Sequence, residues 1–566
     1  ESGNGNDFAS SGLTAADQVL DTPTLNFNVI NGLDAIYSTT YLTNGALEYQ
    51  WAAPDQRPIF STIQAGSGKF YCEVKRISGN LGQSWGVAPF DFNGTSKTAD
   101  YGQRNCGGVV YEQNGVTFIN GTQASYGSSF STETIGIALN LDDGQVTFYV
   151  DNTSQGAVNL PSGWDNSGRV WSFVFGAAGD YYTGGFNFGQ LGFEFTPPTD
   201  YKALNTANLA TPTVADGSKY FQTTLYEGNG STQSIDQDGN STFQPDWVWI
   251  KNRDAADQHA LFDVVRGATE LMGTNVATAE ATNDDTLTAF ESDGFALGDD
   301  VIVNTNNESY VAWQWKANGS GSSNEDGSIN TNKTSANATA GFSVIEWSGT
   351  AANGTIGHGL GIQPSLYIVK NTATTNSWMV GSTLYANTKF LNLNASDALD
   401  TAAAVWNSAY PTSSVINLGG NVGSNGSGTN NMICYAFAEI PGYSSIGSYT
   451  GNGSTDGPFV YTGFTPRYVL FKRTNAAESW PILDTARGSS FGADAGTGGD
   501  NPTAANDLNS VLVASTNAAE EDNASGSRKA SFNSNGFKVR TTNTAMNGSG
   551  STYIYMAFAE NPFGGD

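Results

Sequence analysis

Basic residues, histidine and cysteine are all scarce in this sequence of 566 residues. Lys and Arg together number 24 against 53 Asp and Glu, which leaves a formal net charge of −29. Such a surface repels phosphate backbones and anionic lipid headgroups, so nucleic-acid binding and membrane adsorption are disfavoured. The same acidity suits a marine or saline setting, and equally an ordinary soluble acidic surface. Three cysteines, Cys72, Cys106 and Cys434, cannot supply a disulfide scaffold or a zinc module. Cys72 and Cys434 lie inside apolar strand-like runs and read as small buried hydrophobes. There are two histidines, His259 in "DQHALF" and His358 in "TIGHGLG". Neither has a nucleophile elbow beside it, and no H-E-x-x-H spacing occurs, so triad and zinc-hydrolase chemistry have no starting point. No run of about 18 apolar residues exists, which excludes a membrane-spanning helix. The sequence starts at Glu1 rather than Met and reads as a processed or partial chain, with an attachment domain ahead of it as one expectation.

What is abundant is glycine, with 68 residues, and the aromatics, at 12% including 12 Trp. Apolar runs are short, and Gly, Asn, Ser and Thr crowd the gaps, the composition of short strands joined by polar turns. The length is enough for roughly three to five domains. One pattern recurs three times: "FQPDWVWIKN" from Phe243, "IQPSLYIVKN" from Ile362 and "FTPRYVLFKR" from Phe464. Each is preceded by an aromatic and a Gly/Asn turn ("LYEGNGS", "EWSGTAANG", "SYTGNGS") and followed by an aromatic-bearing strand ("ALFDVVRGA", "SWMVGSTL", "SWPILDTARGS"). Each copy closes on an alternating strand, "YVAWQWKAN", "MICYAFAEI" or "YIYMAFAEN"; Trp315, Phe437 and Phe558 align about 120 residues apart. Proline suits the start of a strand, where no ladder donor is lost. The consecutive apolar run after it predicts a strand covered on both faces, and the alternating closing strand predicts a half-solvated one. No segment keeps a helical period.

These signals predict an all-β, multidomain chain, with a β-sandwich followed by three tandem β-sandwich modules. The expected boundaries are a lead-in segment at 1–24, the N-terminal sandwich at 25–210, module 1 at 211–318, a linker at 319–340, module 2 at 341–441 and module 3 at 442–566. The linker is read from the apolar-poor "KANGSGSSNEDGSINTNKTSANATAG". The short connection between the second and third modules predicts that those two dock on one another. In the N-terminal third, Asp143-Gly144 reads as a two-residue hairpin turn.

The order of pieces in that third resembles a SPRY (B30.2-like) domain: the Gly68–Glu73 strand, Trp85-Gly86-Val87, the Asp142–Val150 hairpin and the Phe173–Gly176 strand. The resemblance implies a bent sandwich used for binding rather than catalysis. "DGPFVYTGFTPRYVLFKRT" with "SNGFKVRTTN" and "TYIYMAFAENPF" resembles C-terminal modules of tailed-bacteriophage structural proteins, and "NDFASSGLTAADQVLDTPTLNF" is similar to the lead-in of such SPRY arrangements. That family implies a non-enzymatic virion-surface or tail-fibre protein that binds a host-surface glycan or receptor and contacts other virion proteins. It also implies a homo-oligomer such as a trimer. A purely structural virion protein, a bacterial surface adhesin and a capsule depolymerase are the alternatives.

The candidate contact residues are aromatics in turn-rich segments, where an exposed flat ring suits sugars and protein hot spots: Trp51, Trp164, Tyr181 and Tyr182. For metal, "SIDQDGNST" offers Asp236, Asp238 and Asn240 at alternate positions, a weak calcium pattern without the closing Glu; Asp-Gly-Asn is also a common hairpin turn. No other cofactor is expected.

Overall fold

The structure, a computed structural model, describes residues 26–31, 42–51, 58–80, 82–89, 102–162, 164, 170–177, 182–209, 214–428, 430–488, 507–522, 528–533 and 536–559. Among them the chain is all-β, as its composition predicts: nearly every strand pairing is antiparallel, and each α-helix is a single turn of four residues. Two compact units follow one another, residues 1–211 and 212–566.

The first unit is a sandwich of an eight-stranded and a six-stranded sheet. The former centres on Lys69–Gly79, flanked by Tyr182–Asn187 and Ile135–Asn140; the latter centres on Trp171–Ala177 and Gln83–Pro89. Alternate residues from both sheets, among them Phe70, Cys72, Val74, Trp85, Val87, Phe173 and Phe175, fill the space between. The hairpin chemistry differs from expectation. Gln145 pairs with Asn140, so the connection at Asp143-Gly144 is a four-residue loop, and the Asn140 side chain accepts from the amides of Asp142 and Asp143. The two-residue turn lies one hairpin later, at Asp151 (φ 43°) and Asn152 (φ 65°), residue types that tolerate left-handed backbone.

The second unit contains the three repeats, each a large sheet backed by a small one. Pro245, Pro364 and Pro466 each stand two residues before the equivalent strand, Trp247–Asn252, Leu366–Asn371 or Tyr468–Arg473. Those strands are covered on both faces, as predicted. Trp247 and Trp249 enter one core while Val248 and Ile250 enter another, and Leu366/Ile368 against Tyr367/Val369 and Tyr468/Leu470 against Val469/Phe471 divide in the same way. The closing strands Ser309–Trp315, Asn431–Phe437 and Thr552–Phe558 are not half-solvated; each is central in its sheet and buried on both faces. At matching positions Trp313, Tyr435 and Met556 face the shared core, while Ala312, Ala436 and Ala557 face the other core, under the small sheet.

The face turned away from the small sheets is common property. One continuous core takes Trp247, Trp249, Trp313 and Trp315 from module 1, Phe342, Trp378, Tyr435 and Phe437 from module 2, and Tyr468, Trp480 and Phe558 from module 3. The three modules therefore form a closed ring, and the first is not set apart from the other two. The expected linker is also structured. Lys333–Asn337 is an edge strand of the second module's large sheet, paired with Phe342–Ser348, and Ile329 bridges to Ile356. Its lack of apolar residues reflects an edge held by hydroxyls, such as Thr331 against Thr334 at 2.8 Å, rather than a lack of fold.

Ring closure repeats one set of bonds at each seam. The amide of Glu280 donates to Thr372, that of Leu399 to Thr474, and that of Glu520 to Arg253, each 2.8–2.9 Å long. At the end of each Pro-led strand a buried lysine caps carbonyl oxygens. Lys370 Nζ reaches Ala277 in module 1, Lys472 Nζ reaches Ser396 in module 2, and Lys251 Nζ holds Asn252 and Ala255. Burial lowers all three amines to about 8. The Gly/Asn turns are pinned by a buried asparagine that ends a single-turn helix, Val301–Asn304, Val422–Asn425 or Thr544–Asn547. Asn304 takes the amide of Asn229, Asn425 that of Thr350, and Asn547 that of Asn452.

Candidate functional site

In the first unit, Phe70, Cys72 and Val74 point into the core, so alternation turns Tyr71, Glu73, Lys75 and Ile77 to the outer face. On the neighbouring strand Tyr182 and Phe186 are core residues, which puts Gly185 and Asn187 on that same outer face. Gly185 leaves a low strip of backbone that the Ile77 side chain leans over, since a Cβ there would stand 2.7 Å from Ile77 Cδ1. The segment Leu191–Glu194 rises beside this strip as a wall, and Glu48 closes the far side. The result is a cleft of about 450 Å³.

Glu73 fixes the wall. Its carboxylate is buried and accepts from the amides of Glu194 (2.7 Å) and Phe195 (2.8 Å) and from Asn187 Nδ2 (3.2 Å). Burial raises its pKa against the pull of those hydrogen bonds. Glu194 in turn accepts from Thr134 Oγ1 at 2.9 Å and lies 3.8 Å from Lys75. The lips are apolar and open, with Ile77 48% and Leu191 52% exposed. Apolar lips beside Glu48, Lys75 and Asn44 can hold an aliphatic or ring face and hydrogen-bond its polar edge.

Of the aromatics picked from sequence, the three that are described sit elsewhere. Trp51 and Tyr182 are core residues, not loop contacts; their rings stack at 4.7 Å, and the Tyr182 hydroxyl accepts from Trp85 Nε1 (2.8 Å) and donates to the Gly176 carbonyl (2.7 Å). The glycines beside Tyr182 mark crowding rather than a loop, since a Cβ on Gly184 would meet Trp51 and Phe186 at 3.2 Å. Trp164 is half-buried, packed on the core with its indole over Gly144, and its carbonyl accepts from Trp171 Nε1. Tyr181 lies outside the described residues. Trp51, Trp164 and Tyr182 do not line the cleft, whose signal in the sequence was the outward register of Glu73, Lys75 and Ile77.

Asp236, Asp238 and Asn240 stand exposed, while Gln237 between them turns inward, donating to Gln314 and accepting from the Phe243 amide. Among the described residues no group of three or more His, Cys, Asp or Glu is placed to hold a metal ion. Both histidines are buried. His358 is bonded to Thr412 and Leu360, and burial lowers its pKa.

No curated protein sequence matches the chain. Among solved structures, it is similar to the SPRY domain of human HERC1, at 12% identity and a TM-score of 0.21 over 27% of this chain and 93% of that one. It is also similar to the TRIM65 PSpry domain, at 14% and 0.23 over 28% and 92%. Stonustoxin is similar at 13% and 0.20, over 30% and 27%. Residues 216–562 match the model of a family described as a domain of unknown function, DUF7483. That stretch is more than half of the chain and runs through all three modules, so the chain belongs to the DUF7483 family, whose unit in this protein is the whole ring.

Proposed function

We propose that this protein is a non-enzymatic attachment protein of a particle surface, a virion or its tail fibre. On this reading the first unit is a SPRY-like binding sandwich and the ring is its rigid mount. The observation that carries the proposal is the cleft: two exposed aliphatic side chains line it, Ile77 leaning over Gly185, and the wall is held by a buried carboxylate. Buried Asp, Lys and His side chains of the ring make structural bonds between modules, which supports a mount rather than a reaction centre. The occupant is a host-surface glycan or protein segment offering an apolar face next to hydroxyl or amine groups. Assembly into a homo-oligomer would use surfaces outside the ring core, which the three modules already fill. Weak cleft binding would gain strength from display in many copies.

The test is adsorption of the purified protein to host cells and to a glycan array, for parent and Ile77→Ser/Leu191→Ser. Losing two half-buried aliphatic contacts of about 1 kcal/mol each should weaken binding roughly tenfold to thirtyfold. Unchanged adsorption by the folded double variant would remove the cleft. Absence of the protein from purified particles would remove the virion assignment.

A further inference from the structure

We propose that the seam between the first and third modules is an acid-opened gate, released by protonation of His259 while the other two seams stay closed. The chain runs from module 1 through 2 to 3, so this seam joins the two ends of the ring. At the equivalent place in the other seams stands an indole. Trp378 Nε1 donates to Gly273 (2.9 Å) and Val276 (3.2 Å), and Trp480 Nε1 donates to Asn392 (3.0 Å). Here the position is His259, whose Nε2 faces the Val513 carbonyl at 3.1 Å. Its Nδ1 accepts from Trp249 Nε1 at 2.8 Å. Those two partners fix a single neutral tautomer, with Nε2 donating and Nδ1 accepting. A proton added at Nδ1 would set two donors against each other in a fully buried site.

The surroundings oppose that proton. Lys251 on the adjacent strand and Arg487 of module 3 bear on the imidazole, while the nearby carboxylates are already committed. Asp484 is paired with Arg487 and Trp313, and Glu520 with Arg253 and Arg487. Burial first, and then Lys251 and Arg487, hold the closed-state imidazole down to about 3. With the seam open, His259 returns toward the ordinary histidine value of about 6.5. The folded value is the depressed one, so the open form binds the extra proton and closure weakens as pH falls through that window. The opening equilibrium rises about tenfold per pH unit below about 6.5, or roughly a hundredfold by pH 4.5. Opening bares the central aromatic surface around Trp249 and Trp313.

The ring supplies its own controls. The segments 513–522, 273–282 and 392–401 carry the equivalent seam amides of Glu520, Glu280 and Leu399. Amide hydrogen exchange of the full chain from pH 7.5 to 4 should show exchange of 513–522 rising relative to the other two by about tenfold per unit below about 6.5. His259→Gln keeps one acceptor and one donor but cannot titrate, so its ratio should stay flat. A constant ratio among the three segments in the parent chain overturns the proposal. So does the same pH dependence in a His259→Gln variant with parental circular dichroism at pH 7.5.

Discussion

The polar inlay of the seams predicts a sharp difference between removing one buried charge and removing a whole set. In module 3, Arg487 Nε lies 2.6 Å from Asp484 Oδ2 and its Nη1 lies 2.9 Å from Glu520 Oε2; the Asp484 and Arg487 side chains are 0% exposed. Asp484 also accepts from Trp313 Nε1 of module 1 at 3.0 Å. Module 1 repeats the set with Asp263, Arg266 and Glu280, and there Tyr435 of module 2 donates to Asp263 at 2.7 Å. At the corresponding places module 2 has Ser382, Tyr385 and Leu399, and module 3 has Met556 where modules 1 and 2 have the donors. Asp484→Ser alone leaves a buried guanidinium short of a partner and an indole N–H without an acceptor, which should cost about 3–5 kcal/mol. Asp484→Ser/Arg487→Tyr/Glu520→Leu/Trp313→Met installs the set the molecule already uses elsewhere. It strands only Arg253, which is partly exposed, so stability should return to within about 2 kcal/mol of the parent. Urea unfolding followed by fluorescence and circular dichroism measures both. An Asp484→Ser protein as stable as the parent, or a quadruple variant less stable than the single one, would refute the reasoning.

Two further outcomes follow from buried titrating groups and one core hydroxyl. Lys251, Lys370 and Lys472 are lowered to about 8 by burial, so between about pH 8 and 10.5 the unfolded chain holds lysine protons the folded one has shed, which by itself raises stability with pH. Above about pH 9 the trend reverses, because burial keeps the Cys434 thiol and many tyrosines, Tyr226, Tyr435 and Tyr449 among them, protonated in the folded state. Urea midpoints should therefore peak near about pH 9, and a steady fall from pH 8 upward would contradict this. Tyr182→Phe removes the partner of Trp85 Nε1 and should cost the first unit about 1–3 kcal/mol by thermal unfolding, with adsorption to cells unchanged.

The repeats were legible because their signals are local. A proline, a two-faced apolar run and a terminal lysine follow one another within ten residues, and Pro245, Pro364 and Pro466 hold equivalent places in the fold. The ring was not legible, because the residues that close it are far apart in sequence. Glu280 and Thr372 meet only across modules, and the Trp313 and Tyr435 runs look the same whether their second face meets solvent or another module. The linker reading failed where a polar stretch turned out to be an edge strand. The aromatic site failed at Tyr182 because flanking glycines make room for rings as readily as they make loops. The buried asparagines Asn304, Asn425 and Asn547 did have a signal, an Asp or Asn cap four residues earlier. It was too short to weigh without the turn that each one holds.

A ring of three similar modules can in principle be assembled in two circular orders, clockwise or counter-clockwise. In the observed order Trp313 meets Asp484 and Tyr435 meets Asp263, while the donorless Met556 is left for Ser382. In the mirror order Met556 would stand against the buried Asp263, and Trp313 would meet Ser382 in place of a carboxylate. Divergence among the repeats thus gives each contact an address. Only one handedness satisfies all three, which guards a tandem chain against the misassembly to which near-identical neighbours are prone.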